Sequence, residues 1–368
     1  MKHVAVLGGG VIGLSIALEL TRRGFDVTIL EKNTCGGQAS GAAAGMLAPY
    51  SEIGEDPDDF FRLCLASLRL FEEWQHDVKQ LSGLDFEYEK SGSLHCVYHP
   101  ADLLSLQTRK AWQEEFGAIV NVLDQQALKE VEPHLSDDII GAIQYPEEAH
   151  VYSPDYVKAL EEACRQHGVR IEENLGAVSV EQYEQGVLLQ AENKNEYTAD
   201  QLIVSSGAWA KELEDLFELS LPIFPIRGQI CAYERQEEQV NHILYTSQGY
   251  LVPKANGTLV NGASEDIAGF QTDVTEKGIQ RLINWNTNIL PFLAEREPFH
   301  TWAGLRPATQ DGYPFIGPLT KAPNVYFACG HYRNGILLSA ITAKVVAEEL
   351  SGEQASVPLT SFRPERFT

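Results

Sequence analysis

Basic residues are scarce in this 368-residue chain: 28 Lys and Arg stand against 52 Asp and Glu, a formal net charge of −24. A nucleic-acid partner needs clustered cations to displace counterions from phosphates, so none is expected. Cysteine is sparse and scattered. Cys35, Cys64, Cys96, Cys164, Cys231 and Cys329 form no C-x-x-C pair. Such spacing supports neither a metal site nor a redox dithiol, and isolated thiols fit a reducing compartment. Long apolar runs are missing too, none approaching the ~20 residues that span a bilayer. The run from 4 to 20 behind Lys2 contains Gly8-Gly9-Gly10 and Glu19 and lacks a small-x-small cleavage site, unlike a secretion signal. A soluble, cytoplasmic protein without membrane contact is the expectation. No internal repeat or low-complexity segment is evident, and the acidic stretch 52–59 reads as a solvated loop.

The chain opens on Val4-Ala5-Val6-Leu7, a short apolar run of the kind a buried parallel strand requires. Gly8-x-Gly10-x-x-Gly13 follows at once. Apolar residues at 11, 12, 14, 16, 17, 18 and 20 then give a helix buried on most faces, ended by Gly24. Asp26-Val27-Thr28-Ile29-Leu30 reads as the next strand, and Glu31 closes it. Gly8 permits the tight turn, Gly10 lets backbone approach a pyrophosphate, and Gly13 lets helix and strand pack closely. The helix start offers free N–H groups to phosphates, and Glu31 is placed to accept from a ribose diol. With strand, glycines, helix, strand and acid in order, the chain is expected to bind a dinucleotide. The motif itself does not separate NAD from FAD. The segment 35–46 favours FAD, because its side chains are almost all tiny and its backbone can line a large planar ligand.

A chain of this length is expected to form two lobes. Extended patterns at 85–98 and 222–263, with Gly and Asn turn signals, predict an antiparallel sheet. Helices are predicted over 59–81, 155–166 and 275–290, and a second buried parallel strand at 202–205. The fold class expected is α/β: a Rossmann-type FAD-binding domain with a second, mainly antiparallel β substrate domain, interleaved along the chain. The expected boundaries are 1–84 with 150–220 and 302–368 for the first, and 85–149 with 221–301 for the second.

Two late segments carry the chemistry. Trp302-Ala303-Gly304-Leu305-Arg306-Pro307 is the first; Cys329-Gly330-His331-Tyr332-Arg333-Asn334-Gly335, leading into an apolar helix at 336–350, is the second. With Gly8 to Gly13 and Ser40-Gly41-Ala42-Ala43-Ala44-Gly45-Met46-Leu47, these resemble the D-amino acid oxidase family, and specifically the glycine oxidases of thiamine biosynthesis. The resemblance runs from residue 4 to 340.

That resemblance implies oxidative deamination of glycine, or of sarcosine or D-alanine, to a 2-oxo acid, ammonia and H2O2. Hydride passes to FAD, and O2 is the acceptor. It implies that Arg306 grips the substrate carboxylate, for which a guanidinium fork is suited, with Tyr250 (Tyr245 being its near rival) and Arg333 assisting. The cofactor positions implied are Gly8, Gly10, Val11, Ile12 and Gly13; Glu31 and Lys32; Ala39, Ser40, Ala44, Gly45 and Met46. Ala177 joins them near adenine, and His331, Tyr332, Arg333, Asn334, Gly335, Ile336 and Leu337 run along the flavin. No Cys lies in 307–317 and no His in 38–50, so non-covalent FAD is expected. The family also implies a homotetramer. Competing expectations are a sarcosine oxidase, a D-amino acid oxidase or dehydrogenase, and a catalytically silent flavin scaffold. In 262–266 an acidic pair, Glu265-Asp266, stands where an apolar residue near the flavin is expected, which bears on the pocket lining.

Overall fold

The computed structural model describes residues 2–52, 57–234 and 238–368. Half of the acidic stretch read as a solvated loop, residues 53–56, lies outside them.

Six strands form the nucleotide-binding sheet, in the order Phe315–Pro318, Val325–Cys329, Gln201–Val204, His3–Leu7, Asp26–Leu30, Arg170–Glu172. All neighbours are parallel except the first pair. Helix Val11–Arg22 buries nine residues between the sheet and two other helices, Gly335–Leu350 and Ser153–Gln166, which is why its apolar pattern runs almost all round it. Gly13 permits that approach, since a Cβ there would overlap the Gly8 carbonyl oxygen and reach 2.7 Å from Ser205 Oγ. Helix Asp59–Ser82 starts where the Asp58 side chain accepts from the Phe61 N–H at 2.7 Å, and ends at left-handed Gly83.

The second sheet has eight strands, ordered His300–Thr309, Ile223–Glu234, Thr258–Gly262, Gly249–Pro253, Ile243–Thr246, Ser93–Val97, Gly141–Tyr145, Asn121–Asp124. It is antiparallel apart from one parallel pairing, Ile243–Thr246 with Ser93–Val97. Two three-stranded sheets complete the β structure. The domain boundary expected at 302 falls inside strand His300–Thr309, which pairs along its length with Ile223–Glu234. The stretch carrying Arg306 therefore belongs to the antiparallel sheet. Among the described residues no helix is long and apolar enough to cross a membrane.

Candidate active site

A single cavity runs from the carboxyl ends of the parallel strands to the face of the antiparallel sheet. Its position agrees with the rule that open parallel sheets bind ligands where strand order reverses. At its inner end the Gly8 turn, held at φ +111°, leaves no room for a side chain, as a Cβ would sit 2.6 Å from the Ser205 carbonyl oxygen. Helix Val11–Arg22 begins at Gly10 with no side-chain cap, and helix Gly335–Leu350 begins uncapped at Asn334. Gly10, Val11, Gly335 and Ile336 all line the cavity, so two helix N-termini, neither capped by its own N-cap side chain, open onto it. An anionic ligand with an extended flat portion fits this lining.

Glu31 is braced rather than free. Its Oε2 accepts from the Gly9 N–H at 2.7 Å and its Oε1 from the Asn33 N–H at 2.9 Å, fastening the glycine turn to the end of the second strand. Each oxygen keeps a further lone pair for a hydroxyl on the cavity side. Ser40 Oγ accepts from the Val11 N–H at 3.0 Å, which ties the small-residue segment over the first helix. That segment is pinned from the other side by Trp302, whose indole donates to the Ala42 carbonyl at 2.9 Å. Gly304 is glycine because a Cβ would come within 2.7 Å of the Ala42 methyl.

At the outer end Arg306 donates to the Ser264 carbonyl at 2.9 Å, and its guanidinium lies against Gly228, where a Cβ would be 2.5 Å from Nη1. Among the described residues no carboxylate pairs with it. Tyr250 is 8% exposed; burial pushes its phenol up and the Arg306 charge opposes that. Arg333 reaches the Tyr245 hydroxyl at 3.3 Å, Glu52 at 3.4 Å and Glu265 at 3.5 Å. The Glu52 charge, set against burial, holds its guanidinium firmly protonated. Burial raises Glu52 in turn, with Arg333 and then Arg306 opposing. His331, buried and bonded to Thr342 Oγ1 at 3.1 Å, is pushed down to about 3 by desolvation, so its imidazole is neutral.

Of the residues singled out from sequence, Gly8, Gly10, Val11, Ile12, Glu31, Lys32, Ala39, Ser40, Ala44, Gly45, Met46 and Ala177 line this cavity. So do Tyr250, Arg306, His331, Tyr332, Arg333, Gly335 and Ile336. Gly13 serves the helix–strand contact instead. Asn334 and Leu337 do not line it either: Asn334 sits at the helix start, and the Leu337 side chain is fully buried, its carbonyl accepting from Ser67 Oγ. Sequence reasoning missed Glu52, which it placed in a solvated loop. Its side chain is only 7% exposed, in helix Pro49–Glu52. It also missed Gly228, Trp209 and the Ser264 carbonyl. Trp209 had a usable signal, the glycine turn Ser206-Gly207 at a strand's carboxyl end. Outside the cavity, Cys35, Glu161 and Glu173 come together, but Arg165 pairs with both glutamates at 2.8 and 2.9 Å.

Residues 3–349 match the family model described as FAD dependent oxidoreductase. The chain belongs to the DAO family of FAD-dependent oxidoreductases. This family member is 34% identical to the bifunctional protein ThiO/ThiG of Synechocystis sp., over all of this chain and 54% of that protein. The chain thus spans about half the length of such relatives. It is 30% identical to the glycine oxidase of Geobacillus kaustophilus over 98% of this chain and 95% of that one. The crystal structure of a glycine oxidase from the same organism superposes with a TM-score of 0.94, at 29% identity and full coverage of both chains. The hydrogen cyanide synthase subunit HcnC of Pseudomonas protegens is 28% identical over all of this chain and 97% of its own. FAD is the cofactor of a DAO-family protein, and the glycine turn, the paired helix starts and the small-residue segment form a lining that fits it.

Proposed function

We propose that this protein oxidises the C–N bond of glycine, and of similarly small amines such as sarcosine or D-alanine. Glycine, water and O2 give glyoxylate, ammonia and H2O2. The observation that carries this reading is Arg306: a guanidinium in the cavity, without a carboxylate partner among the described residues, beside the nearly buried Tyr250 hydroxyl. A substrate carboxylate supplies the missing charge, and each charge-assisted hydrogen bond contributes ~1.5–3 kcal/mol. Bound FAD supplies the two-electron acceptor for hydride from the substrate Cα. The residues of the chain orient and desolvate: Arg306 and Tyr250 fix the carboxylate, Arg333 engages Glu52, and the neutral His331 adds no competing charge. No side chain is required to remove a proton if the amine binds neutral. The likeness to glycine oxidases and to ThiO/ThiG proteins supports this substrate and a role in thiamine biosynthesis; a cytoplasmic location and a homotetramer are the remaining parts of the proposal.

The deciding experiment is an anaerobic visible spectrum of the FAD-loaded protein before and after glycine. Flavin bands that bleach and return with air establish substrate and oxidase turnover together. Bleaching by sarcosine or D-alanine alone moves the substrate within the family. Bleaching without peroxide on re-aeration identifies a dehydrogenase, and no bleaching by any of the three points to a silent scaffold. The likeness to HcnC favours a second reading, in which glycine loses four hydrogens in two steps to give HCN and CO2; cyanide among the products would select it.

A further inference from the structure

Among the described residues two cations and two carboxylates meet at the substrate end of the cavity, and the acids are not shared evenly. Arg306 has neither of them. Arg333 has both, Glu52 at 3.4 Å and Glu265 at 3.5 Å. Glu52 has a side chain 7% exposed, whereas that of Glu265 is 51% exposed, so the second acid approaches from the solvent side. The acidic pair noted in the sequence divides its labour. Asp266 accepts from Ser264 Oγ and Gln229 Nε2, both at 2.7 Å, and from Arg281 at 2.6 Å, which anchors the segment to the antiparallel sheet. Glu265 makes none of those contacts. Its carboxylate accepts from the hydroxyl of Tyr332, a residue lining the cavity, at 3.0 Å.

We propose that Glu265 is a specificity-determining residue that restricts the site to amines carrying a single carboxylate. The inference rests on Arg306 taking the first carboxylate of the substrate. A second anionic group on the same molecule, as in an amino dicarboxylate or an N-carboxymethyl amine, would need the remaining cation, Arg333. Arg333 is already engaged by Glu52 on its buried side and by Glu265 on its solvent side. A second anion would therefore meet a cation that is already taken, with the Glu265 carboxylate beside it, in a partly desolvated site where like charges repel strongly. Glu52 is nearly buried, so replacing it would disturb the packing around Arg333. Glu265 is half exposed, and a neutral replacement frees one edge of Arg333 without repacking the core.

The test uses the FAD-loaded enzyme and two unreactive probes, acetate with one carboxylate and malonate with two. Each is titrated against the visible spectrum of the bound flavin. The readout is the ratio of the malonate Kd to the acetate Kd. Glu265→Gln is expected to lower that ratio roughly 5- to 10-fold, the range for one partly screened charge. Glu265→Met, which also loses the bond to Tyr332, must move it in the same direction. A ratio unchanged or raised in either variant overturns the proposal. Glycine that fails to bleach the wild-type flavin would remove the proposed function, yet the ratio would still read the charge argument by itself.

Discussion

Arg306 is positioned by two features that carry no charge, the bare α-carbon of Gly228 and the carbonyl of Ser264. Its role is therefore open to a clean subtraction. Arg306→Ala is expected to cost ~2–4 kcal/mol in kcat/KM for glycine. Lysine should restore little of it, because a point charge does not replace a planar fork. Unchanged steady-state kinetics in the alanine variant would withdraw the carboxylate assignment. Tyr250→Phe should raise the KM for glycine about 10-fold, the effect of one hydrogen bond to a charged group. Tyr245→Phe should do less, since that hydroxyl faces Arg333. A third residue acts through pH. Glu148 is fully buried beneath helix Pro49–Glu52, taking N–H bonds from Tyr50 at 2.6 Å and Ser51 at 2.9 Å, and burial lifts it from 4.5 to about 7. A carboxyl raised on folding stabilises the native state below its unfolded value, and that contribution is lost as pH rises towards the folded one. Wild-type Tm should therefore fall between about pH 4.5 and 7, and Glu148→Gln should flatten the slope. An unaltered slope would place the titration elsewhere. Arg306, Tyr250 and Arg333 were picked out because each sits in a short motif, and all three line the cavity. Glu52 was not: its burial depends on Arg333, 281 positions away, and nothing in its neighbours announces that.

Elements with a strong period and a buried face were read closely. The helix expected over 59–81 is Asp59–Ser82, and that over 275–290 is Glu276–Ile289. Helix Pro100–Glu115 went unread, and it buries only Leu106 and Gln113, so its sequence carries almost no amphipathic signal. The small sheet of Val178–Gln182, Val187–Ala191 and Glu196–Ala199 was likewise unread, its outer strands being largely exposed. Tyr88–Glu89 was expected to share a sheet with Ser93–Val97, but it pairs with Ala149–Val151; the turn between them redirects the chain. Two glycines, Gly13 inside the first helix and Gly24 just past its end, make a matched experiment. Gly24, at φ +85°, has open space where a Cβ would go. Gly24→Ala should cost ~1–2 kcal/mol in backbone strain and keep its flavin. Gly13→Ala must displace the Gly8 turn and should lose it. Flavin content after gel filtration separates the two, and equal retention would contradict the close-approach reading of Gly13.

At the scale of the whole molecule, the cavity is walled by both large sheets, so the cofactor stabilises their union rather than either one. FAD at about 100 times its Kd should add ~2.7 kcal/mol to stability, seen as a Tm that climbs with FAD concentration. A Tm indifferent to FAD would mean that the two sheets hold together without it. Acid precipitation should release the whole of the flavin into the supernatant, as non-covalent binding requires; colour left in the pellet would reveal a covalent bond. Light scattering checks the tetramer, and a monomer mass would remove it. Trp302, Gly304 and Arg306 occupy alternate positions of one strand and so share a face: the first grips the cofactor segment, the second makes room for it, and the third waits for substrate. The strand works as a ruler, its pleat setting how far the substrate's anchor stands from the cofactor's cradle. Tyr250 and Arg333 reach the same pocket from other segments of chain, with Glu265 against Arg333 from the solvent side. A lineage can thus change which amine it accepts by altering those visitors, while the span between donor carbon and acceptor ring is inherited untouched.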